Sequence, residues 1–137
     1  MRTILVAAAS IATLFVMAGT ATAAPQTAAT CSDLSYLNSA LKVSKKNVTA
    51  LKLSQKGSYR AALVPANAAL WMAKHSAVPC DEGTDQYWLH RQYSIRYEVA
   101  LVRYLEEMKR GDSDNADRYW SSLEFWGDEL SDITYGW

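Results

Sequence analysis

The chain has 137 residues, is 50% hydrophobic and 20% charged, and carries a formal net charge of +0. That length calls for one domain, and the composition excludes a disordered or fibrous chain. A balanced total excludes any inference of a polyanionic or polycationic partner from net charge alone.

The N-terminus has the pattern of a cleaved export signal over residues 1–23. Arg2 supplies the positive start, Ile4 to Met17 is an apolar run broken only by Ser10 and Thr13, and Ala21-Thr22-Ala23 matches the small-x-small cleavage rule. The run is shorter than the roughly 20 residues that span a bilayer. Residues 24–30 read as a flexible lead-in, and residues 31–137 as the folded domain. A secreted or periplasmic location places the two cysteines, Cys31 and Cys80, in an oxidising compartment, where they form one disulfide.

The spacing predicts a first helix over 32–56, with Thr30 and Asp33 as a capping pair and Gly57 as its stop. Leu34, Leu37, Leu41, Ser44, Val48 and Leu51 recur at three and four, the period of a core-facing helical stripe. Lys42, Lys45, Lys46, Lys52 and Lys56 make the same helix basic. Asn47-Val48-Thr49 has the spacing of a glycosylation sequon, which counts only in a source that glycosylates its exported proteins. A second helix over 59–76 follows, capped by Ser58 and ended by Pro79, with Tyr59, Leu63, Ala66, Leu70, Ala73 and Ala77 on one face. Pro65 lies inside it and predicts a kink, or a regular helix that starts only at 66.

The third helix, over 85–109 with Thr84 as cap and Gly111 as stop, is apolar almost all round. Trp88, Ile95, Val99 and Val102 lie on one side. Tyr93, Tyr97 and Tyr104 lie on the other, beside His90 and Met108. Such a helix is central and touches several neighbours. A fourth helix over 114–132 carries Ala116, Trp120, Leu123, Gly127 and Leu130 in one stripe, flanked by Tyr119, Trp126 and Ile133.

No strand alternation occurs, so the fold class is all-α: an antiparallel four-helix bundle of two helical hairpins. In that layout Cys31 and Cys80 fall at the same end, within the roughly 7 Å that a disulfide needs. The charge is also split. Residues 31–76 hold seven Lys or Arg against one acid, Asp33, while residues 81–137 hold six against thirteen acids. The basic first helix is therefore expected to pair with the acidic fourth.

For function, aromatic residues are the main resource. Helical aromatic stripes usually pack as core, yet a small bundle cannot bury five tryptophans fully. Tyr93, Tyr97, Tyr104, Trp126, Tyr135 and Trp137 are the candidate binding surface. No catalytic constellation is legible. His75 and His90 are the only histidines, Glu98 lies two turns from His90 and does not obviously serve it, and no Gly-x-Ser-x-Gly elbow occurs. Neither Glu-x-x-His nor Cys-x-x-Cys-His is present. Met72, His75, His90 and Met108 are the weak metal or haem alternative, set against the commoner use of Met as core filler.

These features point to an exported, non-enzymatic binding module of the cell envelope or extracellular space. It is expected to need no cofactor, and to engage another protein or an envelope component rather than nucleic acid. The alternatives are a periplasmic metal- or haem-binding bundle and a secreted inhibitor or immunity-type protein.

Overall fold

The computed structural model describes residues 31–80 and 86–135, with side chains to Ile133. The export signal, the lead-in and the expected caps Thr30 and Thr84 lie outside the described residues. Four α-helices follow one another: α1 (Asp33–Gln55), α2 (Tyr59–Lys74), α3 (Gln86–Arg110) and α4 (Ser113–Tyr135). The described residues contain no strand.

Local chemistry sets the helix ends. Ser32 is extended and caps α1, its hydroxyl accepting the Ser35 N–H at 3.2 Å. The cap is therefore Ser32 rather than Thr30, and Asp33 is used elsewhere: its Oδ1 accepts the Cys80 N–H at 2.9 Å. Gly57, at φ +71°, turns the chain out of α1, with its N–H on the Ser54 carbonyl at 2.8 Å. Gly111, at φ +81°, does the same after α3. Asp112 then caps α4, its Oδ1 accepting the Asn115 N–H at 3.1 Å.

α2 is regular from Tyr59 and runs through Pro65, so its regular part is not delayed to 66. A proline here removes the N–H that would bond the Ala61 carbonyl. Ala61 is exposed, so water can replace that bond.

Packing is sequential: α1 lies on α2, α2 on α3, and α3 on α4. The buried side of α2 is all alanine (Ala62, Ala66, Ala69 and Ala73), small enough for both neighbours to approach closely. Ala50 of α1, Leu101 and Leu105 of α3 and Leu123 of α4 join it in one core cluster. α3 carries more buried residues than the other helices, as expected of a nearly all-apolar helix.

Two expectations about packing are also overturned. The buried residues of α1 are Tyr36, Val43, Ala50 and Ser54, not the leucine stripe. Leu34 is 71% exposed, Leu41 61% and Val48 49%. The alanine face of α2 is met by the small Val43 and Ala50, which turns the longer leucines away from it. Nor does α1 pack on α4 as the sequential pairs do. The ion pairs among the described residues, Arg103 with Glu106 and Arg110 with Glu107, lie within α3. The basic and acidic helices do not neutralise each other.

The Cys31–Cys80 disulfide forms, with Cα atoms 4.5 Å apart. Around it, the Ser32 N–H donates to the Val78 carbonyl at 3.1 Å. Arg91 of α3 donates to Ser76 Oγ at 3.3 Å and to the Lys74 carbonyl at 3.1 Å. The end of α2 is thereby tied to both α1 and α3.

Candidate functional site

Because α1 and α4 do not close on each other, a groove of about 550 Å³ opens between them, with α3 along its floor. Its α1 wall includes the exposed Leu41 and Val48 and the half-buried Leu37 and Leu51. From α4 come Gly127 and Leu130. A second hollow of about 380 Å³ shares Leu51, Tyr97 and Gly127 with the first and extends it towards Trp120.

Two polar pairs span from α1 to α3 in this groove. The first is Tyr36 Oη with His90 Nδ1, at 2.5 Å. Burial lowers the His90 pKa and raises that of Tyr36 far above the ordinary phenol value, with Arg91 opposing weakly. The neutral imidazole therefore accepts through Nδ1 from the Tyr36 hydroxyl, and Nε2 carries the ring proton.

The second pair is Asn47 Nδ2 donating to Glu98 Oε1, at 2.5 Å. Glu98 is fully buried. Burial pushes its pKa up to about 8, against the pull of the Asn47 bond. Burial, and then the nearby Glu98 charge, push Tyr97 up to about 12. Two atoms of the Asn47–Glu98 pair, Asn47 Oδ1 and Glu98 Oε2, are buried without a hydrogen-bond partner.

The aromatic candidates divide. Tyr93 packs on Trp126 with ring centroids 5.3 Å apart, and Trp126 also carries Arg96 over its face at 4.6 Å. Tyr104 packs on Trp120 at 5.1 Å. These pairs fill the seam between α3 and α4. Tyr97 instead lines the groove beside Gly127, where an added Cβ would sit in ordinary contact with the Tyr97 ring at 3.5 Å. The Tyr135 side chain and Trp137 lie outside the described residues.

The metal and haem candidates do not gather. Met72 packs against the Val43–Ala69–Ala73 cluster. His75 is exposed, stacks on Trp71 at 4.5 Å and donates its Nδ1–H to the Trp71 carbonyl. His90 is held by Tyr36. Met108 lies five turns along α3 from His90, about 27 Å at the helical rise. Among the described residues no group of three or more His, Cys, Asp or Glu converges to hold a metal ion.

Tyr36 was not singled out from the sequence, Asn47 was read only as a sequon, and Glu98 only as a carboxylate too far along the helix to serve His90. Their signal was register: Glu98 stands three, four and seven residues before Leu101, Val102 and Leu105, on the buried face, where a carboxylate is out of place. Asn47 stands between Val43 and Ala50 on the buried side of α1.

Comparison of the chain with protein-family models, curated proteins and solved structures finds no match to any of them. The site therefore rests on its own chemistry. It offers apolar walls, two neutral hydrogen-bonded pairs and two buried polar atoms, Asn47 Oδ1 and Glu98 Oε2, without a partner, which is equipment for holding a molecule.

Proposed function

We propose that this protein is an exported, non-enzymatic binding module that takes its ligand into the groove between α1 and α4. The observation that carries the reading is the uncovered apolar stripe of α1 facing an open, mostly apolar groove. Exposed contiguous apolar surface marks a binding site in a soluble domain, and pockets of this size with a few polar groups suit small molecules. The ligand is a small component of the cell envelope or extracellular fluid, with an apolar body.

The reading includes cleavage of residues 1–23, secretion or residence in the periplasm, and an antiparallel arrangement of the helices. Contact order supports that arrangement. Tyr36 and Asn47 of α1 meet His90 and Glu98 of α3 in ascending order, as expected if α1 and α3 run the same way with α2 reversed between them. The disulfide is in keeping with an oxidising compartment, and no helix among the described residues is long and apolar enough to cross a membrane.

The test is calorimetric titration with an eight-carbon alcohol, octanol, comparing wild type with Leu41→Glu and Val48→Glu. Both positions are exposed, so the substitutions leave the fold intact. Binding to wild type and at least about tenfold weaker binding to both variants is the expected result. Equal binding to all three proteins, or none to wild type, would refute the groove.

A further inference from the structure

We propose that the groove selects an ammonium group on an apolar body, a hydrophobic primary amine, held by Glu98 and Asn47. The proposal rests on the groove being the binding site and adds the chemistry of its ligand.

Two observations carry it. Asn47 Oδ1 and Glu98 Oε2 belong to side chains already bonded to each other, and both are buried without a partner. An amide oxygen accepts only, and so does an ionised carboxylate. Once Glu98 is ionised the pair lacks a donor, and buried polar atoms left unpaired are costly. A primary ammonium brings three donors and the charge that a carboxylate matches.

The second observation is what the groove lacks. Among the described residues, no Lys or Arg lines it. A carboxylate or phosphate would enter without a counter-charge, beside a group that becomes anionic. The ring of Tyr97 also lines it, and an aromatic face attracts a cation.

Proton balance follows. The titratable groups sharing the cavity with Glu98 are Tyr36 from α1 and Tyr87, His90 and Tyr97 from α3, whereas α4 contributes Gly127 and Leu130. With Glu98 neutral near pH 7, ammonium binding draws it into the ionised form, and its proton passes to solvent. The resulting ion pair is held in a low-dielectric wall.

The experiment compares octylamine, octanol and octanoate on the intact protein by calorimetry, in two buffers of different ionisation enthalpy. Octylamine is expected to bind at least about tenfold tighter than octanol, and octanoate weakest. Octylamine alone is expected to release close to one proton per site at pH 7. Glu98→Gln should bring octylamine and octanol to similar affinity and abolish the proton release. Octylamine no tighter than octanol, or bound without proton release, overturns the proposal while leaving the groove standing, because octanol still reports it. Failure of all three probes overturns both. If Glu98→Gln does not fold, the ligand comparison and proton count on wild type decide the matter alone.

Discussion

At the scale of single residues, Glu98 makes stability depend on pH. A carboxyl whose pKa rises on folding makes the folded state bind more protons than the unfolded chain over the interval between the two values. Stability from Glu98 is therefore full below the ordinary Glu range, and is lost as pH rises towards about 8. His90 acts from the other side. Its pKa is lowered by burial, so the unfolded state binds more protons below its ordinary value, and stability falls as pH drops through that range. The denaturation midpoint should peak in mildly acidic solution and decline from about pH 6.5 to about pH 8. Glu98→Gln should remove most of that alkaline decline. A variant as pH-sensitive as wild type above neutrality would show that the carboxyl is not buried in the folded protein.

At the scale of helices, α1 has two apolar sides with different work. Val43 and Ala50 are buried, while Leu41 is 61% exposed. Leu41→Ala should change stability by less than about 0.5 kcal/mol. Leu101→Ala, at a fully buried position of α3, should cost about 2–5 kcal/mol. On α2, Ala66→Leu should cost about 1–3 kcal/mol, since that fully buried alanine has no room for more methylenes. Urea denaturation of the three variants checks the ordering; a Leu41→Ala loss as large as that of Leu101→Ala would mean the leucine stripe is core after all.

The same helix shows what the sequence made legible. Four helices, their approximate ends, the glycine stops and the cysteine pairing follow from period, caps and spacing. Which side of α1 faces inward did not, because Leu34 to Leu51 and Tyr36 to Ser54 both recur at helical spacing. Period alone cannot choose between two such stripes. The choice falls to α2, whose alanine face accepts small partners. The groove was hidden for that reason, and so was the role of Tyr97, which separates from Tyr93 and Tyr104 only once α4 presents Gly127 to it.

At the scale of the molecule, the described helices are tied together by a disulfide and leave a groove between α1 and α4. The Cys31–Cys80 link closes a loop with a sequence separation of 49, worth about 4 kcal/mol in the chain-entropy account. Reduction, or Cys31→Ser with Cys80→Ser, should lower the unfolding free energy by roughly that amount; a loss well under 1 kcal/mol would show that the bonds of Ser32, Asp33 and Arg91 hold that end unaided. The open side sets α1, with its lysines, and the acidic α4 on opposite flanks of one groove. Methyl resonances under titration with octanol test this layout most directly. Leu37, Leu41, Val48 and Leu51 should shift together, while Val64, 72% exposed on α2, should stay in place. Shifts of Val64 as large as those of the α1 methyls, or none on α1, would contradict the account.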